Sequence, residues 1–316
     1  MVSYASKLMK FIEYLNTPIV VIQGGLGNQL SQWSFAHSIS GSKYFSIDLL
    51  HNMSEIQPRN FELEEVFRNC DHIKKDGSGK LSVARARVFF HLLDRMWEYK
   101  NLRFFVEIFG YFREDPRIDQ EQSSKASNSI RYAKGYFQKQ KNVENVFDSV
   151  RKEVIPLVDR ILPGIRKKFG LDSNYTVVHV RRGDYEAAEF TPTIIGTLSD
   201  EYFVRGMHGL DSSKLILLTE NREDITDLVI KLNPLLILDR LDTTPWETLT
   251  LMYGASILLG CNSSLSWWGA RLCSARGGQV WLPSQWSYWK NIDVTDYHFP
   301  ACNIADVYWA QDSLET

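Results

Sequence analysis

The sequence is poor in the features that mark a specialised environment. Four cysteines in 316 residues, Cys70, Cys261, Cys273 and Cys302, form no Cys-x-x-Cys pair. A chain of this size needs no disulfide staples, so they are expected as reduced, mostly buried thiols. Neither sign of charge dominates: 36 basic against 38 acidic side chains leave a net charge of -2, and the isoelectric point is near 6.4. That removes the basic surface a nucleic-acid partner requires, so any bound anion is expected to be met locally by a few arginines. No apolar run approaches the about 20 residues of a spanning helix. The opening MVSYASKLMKFIEYLNTPIVVIQGG has only IVVI as a continuous apolar stretch, and a cytoplasmic protein is the expectation. Neither Asp-x-Asp nor His-Glu-x-x-His occurs, so no cage for a divalent metal is expected. Repeats and low-complexity tracts are missing as well. Sequons at Asn52, Asn174 and Asn262, and the cell-attachment tripeptide Arg182-Gly183-Asp184, carry weight only in a secreted protein.

What is there is ample material for a core: 44% of residues are apolar and 13% aromatic, enough at this length for two medium-sized domains. Short apolar runs alternate with helix-length segments, which argues for parallel α/β organisation in both halves. Ile19 to Ile22 reads as a buried strand, followed by a glycine turn and a helix beginning near Gln29. KYFSIDLL supplies another strand, and Pro58 to Phe67 looks irregular. From Leu81 to Phe112 aromatics and arginines crowd together in a spacing that suits one or two amphipathic helices. These read either as a core-facing pair or as a basic aromatic face for a membrane surface or a lipid-linked acceptor. SIRYAKGYF suggests a strand and a turn at Gly135, with a helix after it. The domain join is expected between 1–165 and 166–316, where Pro163, Gly164 and Gly170 punctuate a charged segment.

Three constellations could carry chemistry. GGLGNQL (24–30) follows a strand and opens a helix, so its amides could face an anion or a sugar hydroxyl. It lacks the third glycine of a dinucleotide fingerprint and the Gly-Lys-Ser/Thr of a phosphate loop, and a tight turn without ligand explains the glycines equally well. Asn28 and Gln29 are its informative members, as amides at a sheet mouth. HVRRGDY (179–185) sets two arginines at the end of the apolar run YTVVHV. A guanidinium stays charged at any working pH and binds two phosphate oxygens in a fork. Neighbours on a strand point to opposite faces, so both arginines serve one ligand only if the strand has ended, as Gly183 suggests. A salt bridge to Asp184 is the structural alternative. In GCNSSLSWWGARL (260–272), Asn262, Ser263 and Ser264 precede a helix and serve either as caps or as an uncharged phosphate cradle. Trp267 and Trp268 read as packing residues. With no metal cage, a diphosphate leaving group has to be stabilised by arginine, helix termini and hydroxyls.

These motifs, GGLGNQLSQWSFA, GYFQKQK, HVRRGDY and LTLMYGASILLGCNSSLSWWGARL in that order, resemble the α-1,2-fucosyltransferases of glycosyltransferase family 11, over most of the chain from Ile19 to Trp286. The resemblance implies a GT-B-like fold of two Rossmann-like α/β domains facing a central cleft, with 1–165 on the acceptor side and 166–316 binding the GDP-sugar. It implies inverting, metal-independent transfer of L-fucose from GDP-fucose to the 2-hydroxyl of a terminal galactoside, without a cofactor. A surface polysaccharide or O-antigen precursor, in lipid-linked form at the inner face of the membrane, is the acceptor it suggests. Arg181 and Arg182 would bind or flank the GDP phosphates, with Arg182 in direct contact. Asn262, Ser263 and Ser264 would hold the pyrophosphate or ribose, and Gly24, Gly25, Gly27, Asn28 and Gln29 would approach the fucose and acceptor. His179 and Asp184 are the candidate bases. LTEN (218–221) departs from the family's Ser-Asp-Asp type of turn, which leaves Glu220 as a nucleoside or a structural contact. Two alternatives fit the same residues: transfer of another GDP-deoxyhexose such as colitose, and a GDP-sugar-binding protein without turnover. A nicotinamide oxidoreductase is disfavoured by the incomplete glycine fingerprint.

Overall fold

A computed structural model describes residues 18–40, 46–48, 60–67, 91–114, 130–183, 195–288 and 294–310. The chain forms two compact units that divide between Phe147 and Asp148, with Gly25–Gly27 and Lys139–Lys141 grouped with the second. Each unit is an α/β structure built on a parallel sheet, as the alternation of apolar runs and helical segments predicts.

In the first unit β1 (Ile19–Val21), β2 (Ser46–Asp48), β3 (Tyr111–Arg113) and β4 (Tyr132–Lys134) form a sheet of order β2-β1-β4-β3. Ile19 pairs with Ser46 on one side and Tyr132 on the other. The helices are α1 (Leu26–Ser40), α2 (Glu64–Phe67), residues 91–97 and α3 (Arg103–Ile108), with α4 (Gln140–Glu144) beyond β4. Helix α1 starts three residues before the expected position, because Gly24 completes the turn alone at φ +75°. It is buried on nearly all sides, with Gln29, Gln32 and Ser34 inside beside Leu26, Leu30 and Trp33. The aromatic stretch departs from a simple core-facing helix pair. Residues 81–90 lie outside the described ones; of the rest, Leu93, Trp97, Val106 and Tyr111 join Val21 and Tyr132 in a core cluster. Tyr111 sits on a strand rather than a helix, while Phe104, Phe105, Ile108 and Phe109 are exposed.

The second unit holds β5 (Thr176–His179), β6 (Leu215–Leu218), β7 (Leu236–Leu238), β8 (Ile257–Leu259), β9 (Gln279–Pro283) and β10 (Asn303–Ala305), all parallel. Its helices are α5 (Phe147–Phe169), α6 (Asp200–Gly206), α7 (Thr226–Leu232), α8 (Pro245–Gly254) and α9 (Ser264–Ala275). The order is β10-β9-β8-β5-β6-β7. The chain therefore enters at the middle, winds outward through β6 and β7, returns to β8 beside β5, and winds the other way. That is the doubly wound order of dinucleotide-binding sheets, and its switch point lies between β5 and β8. Every residue of β5 and β6 is buried, as a sheet covered on both faces demands.

The segment read as a punctuated linker is helix. Helix α5 runs unbroken through Pro156, Pro163 and Gly164 and stops at Gly170, which has φ +65°. Val150, Val154, Leu157, Val158, Leu162 and Ile165 form its buried stripe, and both prolines sit on the exposed side. The carbonyls that the prolines leave without an amide partner, at Lys152 and Asp159, belong to exposed residues, where water can take the missing bonds. The expected join at 165/166 thus falls inside a helix, and the two compact units divide at its first turn.

Candidate functional site

In a doubly wound sheet ligands bind beyond the carboxyl ends of the strands at the switch point. Here β5 and β8 are neighbours, about 4.8 Å apart, so Arg181–Gly183 and Asn262–Ser264 leave the sheet side by side. The strand has ended before the arginines: the Val180 amide donates to the Leu218 carbonyl at 2.8 Å, and Gly183 turns the chain at φ +62°. The alternation rule therefore does not separate the two side chains.

The two arginines are held differently. Arg182 donates from Nη1 to the Asp224 carbonyl at 2.7 Å and from Nη2 to Asp200, whose other oxygen takes Lys231 at 2.8 Å. These bonds hold the Asp200 carboxyl below its ordinary range although burial works to raise it. Arg182 keeps 14% of its side chain exposed and Arg181 22%. Arg181 pairs with Glu220, just beyond β6, with Nη1 at 3.2 Å from Oε2. The expectation gave Arg182 the direct phosphate contact. Its two terminal nitrogens are engaged within the unit, and Arg181 is paired with Glu220. Asp184, the other expected partner, lies outside the described residues.

Beyond β8, Asn262 is buried and spends its amide on the 195–196 turn, donating to the carbonyls of Ile195 and Gly196 at 3.2 and 3.1 Å. Its amide nitrogen clamps that turn. Ser263 is the N-cap residue of α9 in extended geometry, and its side chain makes no capping bond. The hydroxyl that sequence alone would assign to capping is therefore not committed there, and the leading amides of α9 lack that cap. Ser264 opens the helix. Within the same unit, a Cβ on Gly27 would lie 2.3 Å from the Leu265 amide nitrogen and 2.7 Å from Ser264 Oγ. Only glycine allows the approach.

His179 is the last residue of β5 and is 4% exposed. Its Nδ1 is 2.7 Å from Ser266 Oγ, which also accepts the Cys261 amide at 3.0 Å. Burial, and then the positive charge of Arg181, pushes its pKa down to about 3. Burial thus favours the neutral imidazole, which ties β5 to α9 through Ser266. Burial also pushes the neighbouring Cys261 thiol up to about 11, and Cys261, Cys273 and Cys302 are all free. Among the described residues no group of three or more His, Cys, Asp or Glu side chains is gathered as a metal site.

In the first unit the glycine loop is braced from below. Gln29, expected as a loop amide, stands in the first turns of α1, fully buried. Its Nε2 donates to the Gly24 and Asn60 carbonyls at 2.9 and 2.7 Å, and its Oε1 accepts the Glu62 amide at 2.9 Å. Asn28 accepts from Gln138 Nε2 at 2.7 Å. Sequence reading missed three residues here. Gln32 links the ends of β1 and β4 through the Gln23 amide and the Gly135 carbonyl. Glu114 accepts the amides of Tyr136 and Phe137 at 2.8 and 2.6 Å, and Gln138 reaches Asn28. Gln32 and Gln138 lie inside motifs already singled out, where a buried amide beside a glycine turn is the available signal; nothing local marks Glu114.

No family model matches the chain, and no curated protein matches it. Among solved structures it is similar to a glycosyl transferase family 9 protein from Veillonella parvula DSM 2008, with 9% identity over 95% of this chain and 90% of that one and a TM-score of 0.45. It is also similar to POFUT1 in complex with GDP-fucose, with 12% identity, 81% and 94% coverage and a TM-score of 0.36. The doubly wound assignment rests on the strand order itself.

Proposed function

We propose that the chain is a GDP-sugar-dependent glycosyltransferase, and specifically an inverting enzyme that carries L-fucose from GDP-fucose to the 2-hydroxyl of a terminal galactoside. What supports this reading is the placing of Arg181, Glu220 and Ser263 just beyond the ends of β5, β6 and β8 at the switch point of the second sheet, where the Ser263 side chain makes no capping bond. The order of motifs shared with the fucosyltransferases gives the reading its donor and linkage. As the bond from C1 of fucose to phosphate breaks, its electron pair moves to the diphosphate oxygen and the sugar gains oxocarbenium character. A guanidinium fork, serine hydroxyls and helix amides already aimed at that oxygen stabilise the growing charge more than the ground state. The acceptor hydroxyl attacks the opposite face, which inverts C1, and gives up its proton, with Asp184 as the candidate base. No metal enters this scheme, since arginine and the helix terminus take over the charge. A galactose-terminated glycan precursor of surface polysaccharide is the proposed acceptor.

The test incubates the purified protein with GDP-fucose, excess EDTA and a panel of β-galactosides, and reads the linkage of any product by NMR. An α-1,2-linked fucoside that survives EDTA is expected. Product from GDP-colitose but not GDP-fucose would change the donor. GDP binding without transfer or donor hydrolysis would make the protein a binding module.

A further inference from the structure

Helix α3 reverses the usual order of a surface helix, which turns its charges outward. Val106 is fully buried in the core of the first unit, yet Phe104, Phe105 and Ile108 are 68%, 54% and 64% exposed, with Phe109 following at 52%. Positions 104 and 108, and 105 and 109, are one turn apart, so these side chains form a single outward face. Tyr99, in the turn before the helix, is 67% exposed. Elsewhere among the described residues exposed apolar side chains occur mostly singly, which needs no explanation; a cluster of aromatics does.

The turn is held in place from inside. The Arg103 guanidinium lies over the Trp97 ring at 5.3 Å, and its Nε donates to the Trp97 carbonyl at 3.1 Å. The apolar face is therefore displayed on an ordered base. Its surroundings are basic: Lys100 is exposed just ahead of the helix, and Arg131 is exposed beside the helix end, its amide donating to the Gly110 carbonyl at 2.8 Å. Glu107 is the acidic residue within the helix, and Glu98 nearby is neutralised by Arg113 at 2.6 Å.

We propose that this face docks the protein on an anionic lipid surface, with Phe104, Phe105 and Ile108 entering the headgroup boundary and Lys100 and Arg131 meeting the headgroup charges. Aromatic tips flanked by cations suit that boundary, where the rings leave water and the cations stay hydrated beside phosphate. No helix of the described residues is long and apolar enough to cross a membrane. The inference needs no particular donor sugar and stands or falls apart from the proposed activity.

Co-sedimentation of the full chain, without sugar nucleotide, with vesicles of phosphatidylcholine alone and of phosphatidylcholine mixed with phosphatidylglycerol tests it. Binding is expected to the mixed vesicles and to weaken in high salt. The variant F104S/F105S/I108S should bind about tenfold or more weakly, and K100E/R131E should lose the preference for the anionic lipid. Circular dichroism and thermal melting of both variants should match the parent, and K100E/R131E, which leaves the apolar face intact, keeps the test open if the triple variant fails to fold. Failure of the parent to bind either vesicle, or equal binding by the parent and both variants, would overturn the proposal. So would concentration-dependent self-association that the triple variant abolishes while vesicle binding is absent, since a second copy would then cover the face.

Discussion

His179 couples stability to pH through a proton that the folded protein refuses. The unfolded chain takes it up near the ordinary value of 6.5, and the folded site only near about 3. The stability gained from keeping the ring neutral is therefore complete above the ordinary pKa and is lost as pH falls toward the folded one. Between about pH 7 and pH 4.5 this should remove about 2–3 kcal/mol, read by urea unfolding, and His179→Asn should show a shallower fall over the same window. Equal slopes in the two proteins would mean that the ring is not the group that resists charging. The arginine pair divides at this scale too. Arg181→Lys should leave folding almost unchanged and cut turnover about a hundredfold, because an ammonium cannot reproduce the fork. Arg182→Ala should cost about 2 kcal/mol of stability, since it leaves Asp200 with Lys231 and strands the Asp224 carbonyl. The reverse pattern would make Arg182 the phosphate ligand. That two arginines matter at the strand end is legible in HVRRGDY. What Arg182 pairs with is not, because that depends on Asp200 and Asp224, 18 and 42 residues further along.

Elements were legible where one local cause decides them. Buried strands such as Thr176–His179 and Leu215–Leu218 stand out as continuous apolar runs. β3 does not, because its three residues continue an aromatic stretch whose period suits a helix. The prolines of α5 read as punctuation, but an apolar stripe at three- and four-residue spacing outweighs them once both face water. The turn after β4 shows the same non-local control. Phe137 is held at φ 51° while buried and stacked on Phe35 with ring centres 3.8 Å apart. A left-handed phenylalanine costs about 1–3 kcal/mol and persists only where the surroundings fix it. Here Glu114 takes two successive amides, and a Cβ on Gly135 would lie 2.5 Å from the Glu114 Cβ. Glu114→Ala should therefore lower stability by about 2–3 kcal/mol, whereas Glu114→Gln, which keeps an accepting oxygen, should lose less than half of that. Thermal melting of the pair measures the difference. An equal loss in both would show that the carboxylate charge, rather than the two amide bonds, holds the turn.

At the scale of the whole molecule, alternating runs imply parallel sheets but not the order of their strands, which is set by pairing between segments far apart in sequence. That order is what singles out the carboxyl end of the second sheet at its switch point: the ends of β5, β6 and β8 hold Arg181, Glu220 and Ser263, while their beginnings hold none of the groups argued for phosphate. The asymmetry gives a prediction that needs neither acceptor nor turnover. GDP at about a hundredfold over its Kd should stabilise the protein by about 2.7 kcal/mol. Hydrogen exchange should slow at 180–183, 219–221 and 261–266 and stay unchanged at 211–213, 255–256 and 276–279, the opposite edge of the same sheet. Local protection tracks where a ligand ties down amides that otherwise open without global unfolding, so the two edges serve as signal and control within one measurement. Slowing confined to 22–24, 28–29 and 135–138 would move the nucleotide to the first unit. Uniform slowing along the whole chain would report stabilisation without locating a site, and the switch-point assignment would then have to be tested by the same measurement on Arg181→Lys, where the binding energy itself should fall.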